Sequence, residues 1–513
     1  MKPTASQQAA VVALLSRPET FGPGVRRVER IDTHISQVFL AGDGAWKLKR
    51  AVVLPFLDFS TAERRRLACE AELRLNRRTA PELYREVVPV TDEGGGRLAL
   101  AGKGEPVDWL VAMARFPQSA LLDHLVAAGR LTSALAKGLA EQIASFHTEA
   151  EIRTDLGGTD GMRRILDTNL RSFAGETPGV FTEAAVARMD ERMRAALAAL
   201  GSLLETRRRE GRVRHCHGDL HLGNICLFEG KPLLFDAIEF NEDFACIDVF
   251  YDLAFLLMDL DHRGRRDLAN RVLNRYLECT GDFDGLPPLP LFLALRAAVR
   301  AVVSAQHAHF GPAAVRAERR AVARRLLEES SAFLDPVAPR LVAVGGLSGT
   351  GKSRLARALA PLFGAAPGAV VLRTDVLRKR LVGVSPETRL PEDAYTVEMS
   401  RRTYAAMLDI ARRAMAAGFS VIADAVFARP DERQAIEEIA RARGASFAGL
   451  WLEAKPSVAR RRIETRSSNA SDATPAVLRR QLSYDLGRID WRRIDSSGAR
   501  GRTVAAARDC LEV

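Results

Sequence analysis

The feature that most constrains the fold of this chain is a short apolar run, Leu341 to Val344, followed at once by the glycine-rich segment GLSGTGKS at 346–353. A β-branched run of this length predicts a buried strand. Glycine reaches backbone conformations that other residues avoid, so the segment predicts a tight turn. The residues from Lys352 onward predict a helix. A strand, a glycine-rich turn and a helix in this order indicate an α/β unit.

The rest of the C-terminal part continues this alternation. Strands are predicted at 341–345, 370–372, 421–423 and 448–452, and helices at 352–360, 396–417, 431–443 and 456–466. Alternation of this kind implies a parallel sheet that is covered by helices on both faces.

The glycine-rich segment fits the pattern G-x-x-x-x-G-K-[ST], whose chemistry is phosphate binding. Backbone N–H groups of the loop and the N-terminus of the next helix present positive charge to phosphate oxygens. Lys352 is suited to the β- and γ-phosphates, and the Ser353 hydroxyl is suited to Mg²⁺. The pattern therefore predicts that ATP is bound by Gly346, Leu347, Ser348, Gly349, Thr350, Gly351, Lys352 and Ser353.

Two carboxylates follow later predicted strands, where ligands bind at the edge of parallel sheets. Asp375 follows the strand at 370–372 and is a candidate to orient or deprotonate an acceptor hydroxyl. Asp424 follows the strand at 421–423 and is a candidate to hold Mg²⁺ through water. The alternative for each residue is a helix N-cap or a surface ion pair.

Arg462 and Arg466 lie four residues apart, on one face of the helix predicted at 456–466. They are candidates to close over the phosphates of ATP, and a solvated charged face is the alternative. Residues of about 340–510 resemble the P-loop kinases of small molecules and nucleic-acid ends, the group of zeta toxins, gluconate kinases and polynucleotide kinases with an AAA-type ATP-binding domain. The matching pieces are GLSGTGKS, TDVLRK, VIADAVF and RRRIETR. The resemblance makes Asp375 a candidate base on the acceptor side.

A second candidate site is the segment HCHGDLHLGN at 215–224. A zinc site would use His215, Cys216, His217 and His221, but side chains of neighbouring residues on an extended segment point apart. No second cluster of cysteine or histidine completes four ligands. The alternative is a kinase catalytic loop, in which an Asp orients the acceptor hydroxyl and an Asn five residues later holds magnesium.

Asp219 and Asn224 have this spacing, and Asp236, at the end of a predicted strand, supplies a second carboxylate for magnesium. The segment H-G-D-x-x-x-x-N and Asp236 resemble the aminoglycoside phosphotransferase family over most of residues 30–330. This family shares the protein-kinase-like fold, so the resemblance implies an α+β domain that binds ATP and Mg²⁺ and assigns His217 a structural role.

That family also needs a strand lysine paired with a helix glutamate, to hold the ATP phosphates. Lys47 and Lys49 lie on one side of a strand predicted within 46–53. Lys47 is favoured and Lys49 remains open, and Glu72 is favoured over Glu70 as the partner. Surface charge is the alternative for this pair. The adenine-binding hinge is expected near 111–113, and no glycine-rich cover precedes the lysine strand, because 42–44 is typical of a hairpin turn.

The whole chain resembles bacterial two-part proteins with a phosphotransferase-like half and a P-loop half. The pieces that carry this resemblance are FLDFST at 56–61, CEAELRLNRR at 69–78, FDAIEFN at 235–241 and IDVFYDLAFLLMDL at 247–260. Two domains are predicted, with the boundary at the proline-rich 335–339. A protein-kinase-like domain at 1–335, with lobes at about 25–117 and 118–335, precedes an α/β P-loop domain at 336–513. Helices are predicted at 121–150 and 290–334.

From Arg340 onward the chain has 30 Lys+Arg and 19 Asp+Glu, so this part carries the whole net charge of +11. The excess suits a polyanion such as ATP or nucleic acid, and equally an arginine-rich solvated surface. No stretch interleaves aromatic and basic residues as a stacking platform, so a nucleic-acid acceptor is not favoured.

The prediction from the sequence is therefore a cytoplasmic kinase with two ATP- and Mg²⁺-binding modules that phosphorylates a hydroxyl of a small acceptor. The alternatives are an N-terminal module that only senses ATP, or a P-loop kinase of nucleic-acid ends. The six cysteines form no CxxC pair, which favours reduced thiols. The N-terminus lacks a signal-peptide pattern. The apolar run from Val249 to Leu260 is too short for a membrane span and is broken by Asp252.

Overall fold

The structure is a computed structural model that describes residues 5–54, 57–465 and 470–513. The described chain divides into two compact units. The first unit contains the residues up to Leu135, Ser145–Ile165 and Gly201–Leu256, and the second contains Ala136–Ala144, Leu166–Leu200 and the residues from Leu257 onward. This division by packing differs from a division by sequence family, and the domain limits at 335 and 336 stay a prediction.

The first part of the chain is mixed in structure. Its strands are β1 Val28–Asp32, β2 Ser36–Ala41, β3 Gly44–Lys49, β4 Val53–Leu54, β5 Leu57–Asp58, β6 Tyr84–Asp92, β7 Leu98–Leu100, β8 Glu105–Ala114, β9 Val213–His215, β10 Ile225–Phe228, β11 Lys231–Leu234 and β12 Cys246–Asp248. Its helices are α1 Ala5–Leu15, α2 Ala62–Asn76, α3 Leu122–Ala127, α4 Ser133–Glu149, α5 Gly158–Ala174, α6 Glu183–Arg209, α7 Glu242–Ala245, α8 Val249–His262, α9 Arg266–Thr280, α10 Leu289–His307 and α11 Ala313–Ala332.

An antiparallel sheet in the order β1-β2-β3-β8-β6-β7 forms the centre of the first unit. Successive side chains of a strand point to opposite faces, and both faces of this sheet are covered. Phe39, Leu48 and Leu110 pack on one face in a core that includes residues of α1. Leu40 and Val111 pack on the other face, in a core that includes residues of α2 and of the hairpin β10–β11.

Several predicted elements are shorter in the structure. The lysine strand ends at Lys49, not at residue 53. The helix predicted at 121–150 is two helices, α3 and α4, and Gly129 between them has a φ of +66°. The helix predicted at 290–334 is likewise two, α10 and α11, which are separated by Gly311 and Pro312. Proline lacks the backbone N–H that a continuous helix requires, so the break lies where the sequence places it.

The C-terminal part alternates strands and helices. Its strands are β13 Arg340–Gly345, β14 Val370–Arg373, β15 Val421–Asp424, β16 Ser446–Glu453 and β17 Arg492–Asp495, and its helices are α12 Lys352–Leu359, α13 Thr374–Val382, α14 Val397–Ala416, α15 Pro430–Arg441, α16 Pro456–Glu464, α17 Pro475–Leu482 and α18 Arg500–Leu511. The sheet order is β14-β15-β13-β16-β17, and all pairs are parallel. The predicted fold class, an α+β part followed by an α/β part with a parallel sheet, is confirmed.

Helix α10 has the length and hydropathy of a candidate membrane span, with a mean hydropathy of 1.4, and 67% of that window is buried inside the protein. Among the described helices, α10 is the one that meets these criteria. A buried core helix of a soluble protein meets the same criteria, so the finding is weak evidence for a membrane span.

Candidate active sites

In the first unit, both candidate lysines of β3 contact the same carboxylate on α2. The Nζ of Lys47 lies 2.9 Å from Oε1 of Glu72, and the Nζ of Lys49 lies 2.6 Å from Oε2. Lys47 also contacts the carboxylate of Asp236, whereas Lys49 is fully buried and contacts Glu239. The favoured lysine, Lys47, is therefore the one that faces the remaining candidate residues.

Helix α2 is held rigidly, which fixes the position of Glu72. The helix begins after Thr61, whose hydroxyl accepts a hydrogen bond from the Arg64 N–H. Arg65 then makes two hydrogen bonds, of 2.7 and 3.0 Å, to the carboxylate of Asp108 on β8, and both side chains are 1% exposed. A planar guanidinium bound at two points is a specific anchor, so α2 keeps its register against the sheet.

The charges in this cluster are mutually stabilised. Burial alone would raise the pKa of Glu72, but the ammonium groups of Lys47 and Lys49 outweigh it and hold the pKa at about 2. Burial opposes the charged form of Lys47, but the carboxylates of Asp236 and Glu72 raise its pKa well above the ordinary value. Both groups are thus charged at neutral pH, and Lys47 offers a fixed positive charge for an anionic ligand.

The loop at 217–224 brings the two spaced residues together. The Nδ2 of Asn224 donates to the Asp219 carboxylate at 2.8 Å and to the Asp219 carbonyl at 3.0 Å. The side chain of Asp219 is 37% exposed, so its carboxylate reaches solvent. His217 donates from Nε2 to the Phe235 carbonyl, and its Nδ1 accepts from the Asp219 N–H. Burial lowers the pKa of His217, which favours the neutral ring that these two bonds require.

Asp236 joins the same cluster from the end of β11. The Phe235 N–H donates to the Asn224 carbonyl at 3.0 Å, which places Asp236 beside the loop. Asp236 has a φ of +64°, a conformation that side-chain-bearing residues adopt infrequently and that is often found at functional sites. Asp219, Asn224 and Asp236, together with the Lys47–Glu72 pair, therefore meet in one cluster, although they come from segments far apart in sequence.

Sequence reasoning missed Asp252, whose carboxylate binds the backbone of the loop at 217–224. Its buried carboxylate accepts hydrogen bonds from the backbone N–H groups of His217, at 3.1 Å, and Gly218, at 2.9 Å, and lies 3.1 Å from Nε2 of His147. A charged residue within the apolar run 249–260 was the available signal, because a buried carboxylate needs several partners.

The structure also bears on the zinc alternative for this segment. Among the described residues, Cys216 lies in a group with His147 and Asp252, whose ligand atoms are within 4.8 Å of one another, and not with the histidines beside it in sequence. Burial raises the pKa of the Cys216 thiol well above its ordinary value, which disfavours the thiolate that binds metal. The hydrogen bonds of Asp252 account for this group without an ion.

Two expectations concern the nucleotide site of the first unit. The hinge expected near 111–113 stays a prediction: these residues lie in the last part of β8, which pairs with both β3 and β6. The chain leaves the sheet after Ala114. The prediction of a hairpin turn at 42–44 is confirmed, because β2 and β3 are joined by Gly42 and Asp43.

In the second unit, the glycine-rich loop follows β13, the central strand of the parallel sheet. Gly346 has a φ of +137°, and a Cβ atom there would lie 2.4 Å from the Leu452 carbonyl oxygen. Gly349 has a φ of +82°, and its Cβ would lie 2.5 Å from the Ala459 carbonyl oxygen. These approaches exclude any side chain, so both glycines are required for the observed loop.

The loop makes bonds that a phosphate group is suited to replace. The Nζ of Lys352 donates to the Leu347 carbonyl at 3.0 Å, and the Ser348 N–H donates to Oε1 of Gln481 at 2.7 Å. Gln481, on α17, had no local signal in the sequence. Ser353 lies in the first turn of α12, next to Lys352.

The two carboxylates that follow strands lie at the predicted edge of the sheet. Asp424 ends β15, beside β13, and is 4% exposed, with an Oδ2 that has no hydrogen-bond partner. Arg373 is its neighbour on β14, with Nε 3.5 Å from that oxygen. Asp375 lies in the first turn of α13, directly after β14. A buried oxygen without a partner is unusual and suits a cation.

Of the two arginines predicted to close over ATP, Arg462 lies within the described residues and Arg466 lies outside them. Arg462 lies on α16, and its Nη2 donates to the Ser496 carbonyl at 2.7 Å, while the Ser496 hydroxyl donates to the Thr350 carbonyl at 2.8 Å. Arg462 therefore adjoins the glycine-rich loop through Ser496. Arg466 lies outside the described residues, and α16 ends at Glu464.

Comparison with known proteins finds a family match for each half of the chain. Residues 34–289 match the phosphotransferase enzyme family, and residues 341–484 match an AAA domain family. Uncharacterized protein Rv2004c of Mycobacterium tuberculosis (strain ATCC 25618 / H37Rv) is 32% identical over 487 residues, which cover 93% of this chain and 94% of that protein. The chain belongs to this family of two-part proteins. Its N-terminal part is kinase-like and its C-terminal part is P-loop kinase-like.

Two solved structures are similar to parts of this chain. A gluconokinase from Sinorhizobium meliloti 1021 is 22% identical and covers 34% of this chain and 93% of its own, with a TM-score of 0.25. Plasmodium vivax ethanolamine kinase Pv091845 is 12% identical and covers 60% of this chain and 82% of its own, with a TM-score of 0.38.

Proposed function

We propose that this phosphotransferase has two separate ATP- and Mg²⁺-dependent sites and transfers the γ-phosphoryl group to a hydroxyl of a small acceptor. The observation that carries the proposal is the cluster of Asp219, Asn224, Asp236 and Lys47, which brings β3 together with the distant segment 219–236. A carboxylate, an amide and a lysine are the groups that phosphoryl transfer needs. The carboxylates of Asp219 and Asp236, with side chains 37% and 40% exposed, are open to solvent. The conformation of the glycine-rich loop supports the second site.

In the first site, Asp219 orients the acceptor hydroxyl and accepts its proton, and Asn224 fixes the Asp219 carboxylate by its 2.8 Å hydrogen bond. Lys47 binds phosphate oxygens while Glu72 holds it in place. The oxygen ligands that suit Mg²⁺ are those of Asn224 and Asp236. When bound, the ion neutralises charge on the phosphates.

In the second site, Lys352 exchanges its bond to the Leu347 carbonyl for phosphate oxygens, and the loop N–H groups complete the anion site. Ser353 and Asp424 would hold Mg²⁺, because Oδ2 of Asp424 accepts no hydrogen bond and suits a hard cation. Asp375 orients the acceptor. The direct role of Arg462 on ATP stays a prediction, because its guanidinium is bound to backbone carbonyls.

The experiment uses the full chain and γ-labelled ATP with a pool of hydroxylated metabolites. Asp219→Asn is expected to abolish one labelled product and Lys352→Ala another, each leaving the other product unchanged. Matched controls are Asp160→Asn, at a carboxylate 75% exposed, and Lys455→Ala, at an exposed lysine. If neither variant alters any product, the proposal is wrong.

One observation favours a second candidate, in which the first module binds ATP without transferring its phosphate. The turn between β1 and β2, residues 33–35, contains no glycine, and in protein kinases a glycine-rich loop covers the phosphates. The same assay separates the two functions. A wild-type chain that binds ATP at the first site, with every labelled product dependent on Lys352 alone, would favour the sensor. Label on a 5′-hydroxyl oligonucleotide would identify a nucleic-acid acceptor.

A further inference from the structure

Helix α9, which precedes the glycine-rich loop by more than sixty residues, closes the edge of the parallel sheet. β14 is an edge strand, so one side of its backbone lacks a strand partner. The Oδ1 of Asn274 accepts from the Val371 N–H at 2.7 Å, and its Nδ2 donates to the Ala369 carbonyl at 3.1 Å. Asn270 donates to the same carbonyl at 3.0 Å. Two buried amides thus hold α9 along β14.

The same helix carries a carboxylate to the end of that strand. Glu278, one turn after Asn274, is 12% exposed and lies 3.2 Å from Nη1 of Arg373, the last residue of β14. Arg275 binds the other oxygen of Glu278 at 3.0 Å. Because the two asparagines fix the register of α9, the position of Glu278 beside Arg373 is fixed as well.

Arg373 therefore lies between two carboxylates, and it makes a hydrogen bond to only one of them. Its Nη1 is hydrogen-bonded to Glu278, whereas its Nε lies 3.5 Å from Oδ2 of Asp424 without a hydrogen bond. Both Arg373 and Asp424 are more than nine-tenths buried. The arginine compensates the charge of Asp424 but leaves its oxygen without a donor. An oxygen in this state is available to a cation, provided that the guanidinium stays with Glu278.

We propose that Glu278 is a positioning residue for magnesium at Asp424, because it restrains the competing guanidinium of Arg373. Glu278 holds the guanidinium back, so that the Asp424 oxygen accepts Mg²⁺ without leaving an uncompensated charge in the interior. The inference rests on the proposed function, in which Asp424 is a ligand of Mg²⁺. It adds that the ion affinity of the P-loop site is set by a residue on α9, 95 positions before Arg373.

The two single substitutions have opposite expected effects. In Glu278→Gln, the carboxylates that remain near Arg373 are Asp424 and Asp375. The guanidinium is then free to bind Asp424 in competition with the ion, and Mg²⁺ affinity is expected to fall about tenfold. In Arg373→Gln the competitor is removed, and the affinity is expected to equal or exceed that of the wild type. The double variant Glu278→Gln/Arg373→Gln is expected to recover wild-type affinity, because a neutral pair replaces a charged one.

The test measures Mg²⁺-dependent binding of a non-hydrolysable ATP analogue by calorimetry, in the full chain with Asp236→Asn to silence the first site. Glu437→Gln, at an exposed glutamate of α15, is the control, and the thermal midpoint without nucleotide reports damage to the fold. Weakening in Glu278→Gln with recovery in the double variant supports the inference. Equal weakening of both single variants, no change in Glu278→Gln, or no recovery overturns it. Two other results would count against the proposed function instead. One is that the Asp236→Asn chain binds no Mg²⁺-nucleotide, and the other is that adding Lys352→Ala to this chain leaves its binding of Mg²⁺-nucleotide unchanged.

Discussion

Replacement of Glu72 by Gln gives the sharpest prediction, because this carboxylate is fully buried between two lysines. The lysines hold its pKa at about 2, against an ordinary value of 4.5. Each pKa unit corresponds to about 1.4 kcal/mol, so the ionised form contributes about 3 kcal/mol to stability near neutral pH. Gln keeps the shape of the side chain and removes the charge.

The expected result is an increase of about 100-fold in the amide hydrogen exchange rate of α2 at pH 7, since 1.4 kcal/mol corresponds to a factor of ten. Mass spectrometry of peptides from α2 and β3 reports on this region separately from the second unit. Because the folded pKa is depressed, the contribution of Glu72 is complete above about pH 4.5 and is lost as the pH falls towards 2. The difference in the stability of α2 between the variant and the wild type, measured by hydrogen exchange, is therefore constant from pH 7 to 5 and becomes smaller below pH 4.5.

The control is Glu70→Gln on the same helix. Glu70 is 46% exposed and pairs with Arg66 at 2.6 Å, so its loss is expected to cost less than about 0.5 kcal/mol. If the exchange rates of the two variants differ by less than about threefold, the buried charge cluster does not stabilise α2 and the reasoning is refuted.

Three further predictions concern other parts of the molecule. Asp252→Asn is expected to lower the activity of the first site at least tenfold while the second site still binds nucleotide, because the loop N–H groups lose a charged acceptor; equal loss at both sites would contradict this. Both Gly349 and Gly351 have a positive φ, so alanine strains the backbone at either position, but only a Cβ at Gly349 also meets an atom, the Ala459 carbonyl oxygen at 2.5 Å. Gly349→Ala is therefore expected to weaken nucleotide binding at the second site more than Gly351→Ala, and calorimetry compares the two. Asn274→Ala is expected to destabilise the second unit by about 1–3 kcal/mol in denaturant unfolding, because the Val371 N–H of β14 loses its acceptor and the Ala369 carbonyl keeps only the bond from Asn270. An unchanged midpoint would show that α9 does not support the sheet edge.

Local sequence patterns were enough to predict the elements whose structure depends on neighbouring residues alone. The strand and loop before Lys352 follow from an apolar run and from glycines that no other residue replaces. The breaks at Gly129 and Gly311-Pro312 fall on residues that disfavour a continuous helix, a local signal that the predicted ranges 121–150 and 290–334 left unused. The hinge stays a prediction, because a hydrophobic pattern locates a strand but does not say where the backbone of that strand stops pairing.

The sequence by itself determined which chemical groups are present and how the near ones are spaced: the lysine and serine of the loop, Asp219 with Asn224, and the α/β alternation. Only the tertiary structure decided which distant groups meet. It selected Lys47 as the lysine that faces Asp236, placed Asp252 under the loop and Glu278 beside Arg373, and left one oxygen of Asp424 without a donor. The physical reason is that spacing along a helix or strand is fixed by backbone geometry, whereas contacts between elements depend on how whole faces pack, and no short segment of sequence encodes that packing.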